Sequence, residues 1–298
     1  MHSKHSCLGD RLEAHRVSVH GGHSGQFCNH AENTLEEIVL AYIAAGFTWF
    51  GVTEHMPAVS EAFVYPDERE AGLTAEELQR RFQEYFSECR TLKDRYSDQV
   101  ELLIGFEIES CTGSVEFVEQ LIQQFNPDYI VGSVHHVSDL MIDFSQEEYL
   151  KAVKHHGGIE ALYCAYFDQQ IDMIERFAPS VIGHLDLIRI FDANYPRTLN
   201  IPSISRRVTR NLEAIQSLDL ILDYNMAGFD KTGAEPYPAR SILNKAVEMG
   251  ISIVPGDDSH GVKMVGRHYD KGSKMLVDAG ASTSFRKPRL MKVGGMNA

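Results

Sequence analysis

Short apolar, β-rich runs recur along the chain, and the longer segments between them return an apolar residue at every third or fourth position. The short runs predict strands near Val17–His20, Thr48–Thr53, Val100–Phe106, Asp128–Val134, Ser180–Gly183, Leu218–Asp223 and Ile251–Val254. The spacing between them predicts helices over Asn33–Ala45, Thr74–Tyr96, Ser114–Gln124, Gln146–Phe177, Ser203–Gln216 and Arg240–Glu248, with a last one near Gly272–Ala279. Several open on a capping signal: Asn33 and Thr34 precede Glu36 and Glu37, and Thr74 is followed three residues later by Glu77. His155-His156-Gly157-Gly158 breaks the longest helical segment in two. Strand followed by helix, repeated, implies an α/β fold with a parallel sheet or barrel. No composition shift or low-complexity linker marks a second domain, so residues 16–298 read as one domain behind a poorly ordered segment, residues 1–15.

In such folds chemistry gathers at the carboxyl ends of the strands. The first predicted strand is followed by His20 and His23, with Cys28 and His30 on the loop; the second by Glu54 and His55; the third by Glu107 and Glu109; the fourth by His135 and His136. The fifth delivers His184, Asp186 and Arg189, the sixth Asp223 and Asn225, the seventh Asp257, Asp258 and His260. A single His or acid at a strand end is ordinarily a hydrogen-bonded loop residue. All seven strand ends carrying one or both makes sense if divalent cations neutralise the acids and use the neutral imidazoles. Mixed His, Asp and Glu without clustered Cys favours zinc, manganese or iron in a catalytic site over a closed structural zinc site.

Composition narrows the partners. A formal charge of −14 disfavours nucleic acid, whose binding draws on clustered Lys and Arg. No apolar run approaches a membrane span, and the N-terminal MHSKHSCLGDRLEAHR lacks the hydrophobic core of a signal peptide. Five scattered cysteines without a C-x-x-C pair fit reduced thiols and a cytoplasmic protein. Oligomeric state is not written in these features.

The stretches HSGQFCNH, FGVTEHMP, IGFEIES, YIVGSVHHV, VIGHLDLIR and VPGDDSH, in this order, resemble the successive motifs of the PHP (polymerase and histidinol phosphatase) superfamily, and more closely those of its bacterial L-histidinol-phosphate phosphatases. The resemblance spans residues 17 to 290. It implies a distorted (β/α)7 barrel holding a cluster of two or three divalent ions at the carboxyl end of the strands. Carried over motif by motif, it implies the ligands His20, His23, His55, Glu107 (bridging), His135, His184, Asp258 and His260. The first motif departs from the family's His-x-His, because Gly21 and Gly22 separate the two histidines. Residues two apart share a strand face, so a spacing of three needs a bulge or turn, which the glycines can supply. His15 and His30 stand as alternatives to His20, and Cys28 is either near the site or a buried structural thiol.

A metal cluster suits phosphate ester hydrolysis, with a metal-bound hydroxide attacking phosphorus and no protein nucleophile required. The expected substrate is a small phosphorylated molecule, L-histidinol phosphate above others. Asp186 and His260 are the candidate acids for the leaving alkoxide. Arg189 and Arg267 are candidates for the phosphate. Glu54, Glu109 or Asp223 could select a cationic substrate, and Asn225 could bind it or fix a loop. HGGHSG lacks the Lys-Ser/Thr ending of a nucleotide loop. The rival readings are a PHP phosphoesterase for another small phosphate, a nucleotide or an oligonucleotide end, and a non-catalytic metal- or phosphate-binding regulator.

Overall fold

A computed structural model describes residues 16–231 and 235–291; the predicted loose segment 1–15, with His15, lies outside the described residues. The strands are β1 (Arg16–Ser18), β2 (Phe47–His55), β3 (Glu101–Ile108), β4 (Tyr129–Gly132), β5 (His136–Val137), β6 (Leu140–Met141), β7 (Val181–Ile182), β8 (Ile221–Asn225) and β9 (Ser252–Gly256). Seven form one parallel sheet in the order β1-β2-β3-β4-β7-β8-β9. Val19 N donates to Pro255 O at 2.9 Å and Asp257 N to His20 O at 3.1 Å, which ties the first strand's exit to β9 and curls the sheet into a nearly closed (β/α)7 barrel. Helices wrap its outside in a single domain, and among the described residues none is long and apolar enough to cross a membrane.

The predicted elements are present, and their differences are local. Thr34 forms a full capping box with Glu37, and Thr74 caps the helix Ala75–Arg95 through Glu77 N. The long helical segment divides into Gln146–His155 and Ile159–Phe177 at Gly157-Gly158, as the sequence implies. β1 stops at Ser18, short of His20, because the chain turns at Gly21-Gly22. β3 runs on to Ile108, so Glu107 is a strand residue rather than a loop residue. The antiparallel β5-β6 hairpin is too short to leave a periodic signal.

Strand alternation builds the barrel interior in layers. Val17, Val19, Trp49, Leu103, Tyr129, Val131, Val181, Ile221 and Val254 form a buried apolar floor, closed by Phe285. Each such side chain contributes about 1.5–3 kcal/mol of burial. Two residues further along β2, β3 and β9 stand Gly51, Gly105 and Gly256. The space is needed: a Cβ on Gly51 would lie 1.7 Å from the Tyr129 hydroxyl, which crosses the barrel to donate to Val19 O at 2.6 Å. Another step of two brings Glu107 and Asp258 to the top. One periodicity thus sets both the dry floor and the polar rim.

Candidate metal centre

Glu107, fully buried at the end of β3, is the hub of the rim. Its Oε2 lies 3.3 Å from His20 Nε2 and 3.0 Å from His55 Nδ1, and its Oε1 lies 3.4 Å from His135 Nε2 and 3.0 Å from His184 Nε2. Asp258 Oδ1 is 3.3 Å from His23 Nε2 and 3.9 Å from His20 Nε2. The His260 ring stacks on His23 at 4.2 Å. The structure therefore brings together all eight of the ligands that the motif order implies.

The HGGH opening is accommodated by its glycines. Gly21 and Gly22 take φ of 154° and 78°, and a Cβ would stand 2.4 Å from Asp257 Oδ1 at the first and 2.8 Å from Val52 Cγ1 at the second. The turn sets the His20 and His23 rings 6.1 Å apart in the same cluster. His30 joins the rim beside His55 and His260 in addition to His20, and its Nε2 lies 3.2 Å from Cys28 Sγ. Cys28 is buried, and burial pushes its thiol well above the ordinary value.

A second layer fixes the imidazole tautomers. His20 Nδ1 meets Asp223 Oδ2 at 2.8 Å, His23 Nδ1 meets Glu54 Oε1 at 3.1 Å, His136 Nδ1 meets Glu109 Oε2 at 3.2 Å, and His260 Nδ1 meets the Asp258 carbonyl at 2.9 Å. Carboxylates and carbonyls only accept here, so each Nδ1 carries a proton and each Nε2 is left as the atom a metal would take. This is the arrangement by which outer-shell acceptors orient metal-binding histidines. Sequence reasoning had set Glu54 against substrate, but its other oxygen accepts Ser24 N at 3.2 Å and it backs His23 instead. Asn225 likewise fixes its surroundings: Nδ2 donates to Asp223 at 3.1 Å and to Asp258 at 3.2 Å.

The field of this cluster favours cations. Burial works against ionisation of Glu107, yet His20, His135 and His55 outweigh it and hold the carboxyl well below its usual range. Asp258 is held down in the same way by Lys231 and His20. Burial depresses the imidazoles, but the acids lift His23 to about 9 and His135 to about 10. Burial and the neighbouring His23 press His260 the other way, well below its ordinary value.

The donor set fits divalent metal. His20 Nε2, His23 Nε2 and both Glu107 oxygens are buried without a hydrogen-bond partner, a costly condition unless something else pairs them. His135 Nε2 and His184 Nε2 face each other at 3.3 Å. Two nitrogens bound at about 2.05 Å to one tetrahedral ion are separated by about 3.3 Å. Asp258 takes φ of 47°, a left-handed conformation that a non-glycine residue holds only at a cost.

Three predicted residues stand apart from the cluster. Arg189 and Asp186 are buried and paired to each other at 3.0 Å, and the guanidinium also donates to the carbonyls of Pro236 at 2.6 Å and Glu235 at 3.2 Å. Asp186 further accepts Ala239 N at 3.0 Å, so this pair pins the loop after β8 and neither side chain lines the open cavity. Arg267 is half-exposed and paired with Asp230. Sequence reasoning missed Lys231, which lines a cavity of about 420 Å³ above the cluster with Nζ 3.8 Å from Asp258 Oδ2. The only signal available was its position a few residues past the sixth strand.

Comparison with known proteins agrees with this geometry. The profile of the PHP domain matches residues 21–227. The Schizosaccharomyces pombe "Probable histidinol-phosphatase" is 39% identical, covering 90% of this chain and 88% of its own. The Saccharomyces cerevisiae "Histidinol-phosphatase" is 31% identical, covering 87% and 88%. Among solved structures, a candidate histidinol phosphatase from Listeria monocytogenes superimposes with a TM-score of 0.77 at 27% identity, covering 86% of this chain and 99% of its own. A histidinol phosphate phosphatase from Lactococcus lactis, solved with zinc, L-histidinol and phosphate, shares the fold with a TM-score of 0.68 at 20% identity, covering 93% and 99%. With a rim of buried, outward-braced histidines around one glutamate and this extent of similarity, the chain belongs to the PHP domain family.

Proposed function

We propose that this chain is a metal-dependent phosphatase that hydrolyses L-histidinol phosphate to L-histidinol and phosphate in the cytoplasm, using two or three divalent ions drawn from zinc, iron and manganese. The observation that carries this reading is the convergence of imidazole nitrogens on Glu107, whose two oxygens are buried without a hydrogen-bond partner, with His135 Nε2 and His184 Nε2 facing each other at 3.3 Å. The names of the relatives at 31% and 39% identity supply the substrate.

Bound divalent cations supply Lewis-acid polarisation of the phosphoryl oxygens and a water acidified toward neutral pH. The chain's residues supply the rest. Glu107 presents one oxygen to His20 and His55 and the other to His135 and His184, so it would hold metal jointly with these four histidines. Asp258, His23 and His260 would complete the ligand set. Lys231 offers a point charge to a phosphate in the cavity, in the role first assigned to Arg189 and Arg267. His260 suits ligation better than proton donation, because its proton is committed to the Asp258 carbonyl.

The test is phosphate release from L-histidinol phosphate and a panel of other esters, with metal-reconstituted and chelated protein in parallel. Chelator-sensitive turnover with preference for histidinol phosphate is expected. Metal-replete protein that hydrolyses only other esters would discard the substrate, and one that hydrolyses none would discard the activity.

A further inference from the structure

The cavity above the cluster carries side chains that neither ligate nor brace. Asp143 lines it, on the connection leaving the β5-β6 hairpin, and its Oδ1 is buried with no hydrogen-bond partner. The carboxylate shares the cavity lining with His135 and Lys231, the side where phosphate would bind. An anion there repels phosphate and attracts a cation bonded near it. Next to it Tyr65 and Phe144 line the same cavity with ring centroids 6.3 Å apart, and Tyr65 continues to the His136 ring at 5.6 Å. Phe144 is 42% exposed, so its ring is open to a ligand in that cavity.

We propose that Asp143, with the wall made by Tyr65 and Phe144, is the specificity-determining subsite for the non-phosphate half of the substrate. Asp143 receives an ammonium adjacent to the esterified carbon, and the rings receive a planar heteroaromatic group. This rests on the phosphatase reading above, since it concerns what accompanies the phosphate. The polarity is split as an amphoteric substrate requires: Lys231, beside the metal-binding rim, faces the phosphate, and Asp143, whose Oδ1 has no partner, beside aromatic faces takes a cationic amine and a flat ring. The hairpin sets this wall, because it carries the chain from His136 to Asp143 and Phe144 over the mouth.

The experiment compares kcat and KM of wild type, Asp143→Asn and Phe144→Ala on three esters: L-histidinol phosphate, its analogue lacking the amine, and an aminoalkyl phosphate lacking the ring. Bound metal is measured for each protein. Asp143→Asn is expected to raise KM for histidinol phosphate by about 10- to 100-fold, with a loss at least several-fold smaller on the analogue lacking the amine. Phe144→Ala is expected to penalise the ring-bearing esters more than the ring-free one, and its exposure makes it tolerant of truncation if Asp143→Asn fails to fold. Equal losses on all three esters, or no loss, would overturn the subsite while leaving the phosphatase reading intact. Wild type with no turnover of histidinol phosphate would overturn the substrate reading and the subsite together.

Discussion

His184 and Asp186 leave the same strand two residues apart, and both are buried, yet they end in opposite electrostatic situations. Asp186 finds Arg189, the Ala239 amide and a loop to hold, so its charge is matched inside the protein. His184 turns toward Glu107 and His135, where two imidazole nitrogens face each other at 3.3 Å and several buried atoms have no partner. Burial is common to both regions; satisfaction is what differs. A matched buried pair is architecture, whereas an unmatched cluster persists only where something from outside completes it.

Removing a shared member of the unmatched cluster should have the largest effect. Glu107→Ala is expected to lower phosphatase turnover by about a thousandfold or more and to reduce bound metal, read by elemental analysis. Wild-type metal content would mean that the hub is misassigned.

Removing a member of the matched pair should instead strike stability. Arg189→Met leaves the Asp186 carboxylate buried without its cation, at a cost of about 3–5 kcal/mol in denaturant unfolding. KM should change little in protein that remains folded. Unchanged stability with a raised KM would return the guanidinium to the phosphate.

The smallest effect sharpens the contrast through protons. His23 at about 9 and His135 at about 10 lie above the ordinary 6.5, so both are charged at pH 7 in the metal-free protein. Folded values above unfolded ones stabilise the metal-free fold fully below about pH 6.5, and that contribution is lost as pH rises through 9 and 10. A cation must expel those protons, so its apparent affinity should rise from pH 6.5 to 8.5, by up to about a hundredfold per unit for two protons displaced. Calorimetric metal titrations across that range check it, and a flat profile would place the protons elsewhere.

The same contrast explains what the sequence could disclose. Alternation in the strands and His- or acid-bearing strand ends are local properties, so the seven barrel strands and their polar rim are legible from one chain, whereas the choice of eight residues among that rim comes from the resemblance of the ordered motifs to the PHP superfamily. Which charge neutralises which is a tertiary fact. Arg189 three residues past Asp186 reads equally well as a phosphate ligand until the Pro236 and Glu235 carbonyls fill its donors. Glu54, Glu109 and Asp223 read as free acids until they are found holding the imidazoles of His23, His136 and His20. Lys231 and Asp143 sit in segments without periodicity, and only the closed barrel turns them to the cavity.

The most direct test of the account is to strip the protein with chelator and titrate divalent metal back, following bound metal per chain and phosphate release from L-histidinol phosphate together. The account predicts negligible turnover in the stripped protein and activity that rises in step with occupancy, saturating at two or three ions per chain. Undiminished turnover with no metal bound, or full occupancy without turnover, would contradict it.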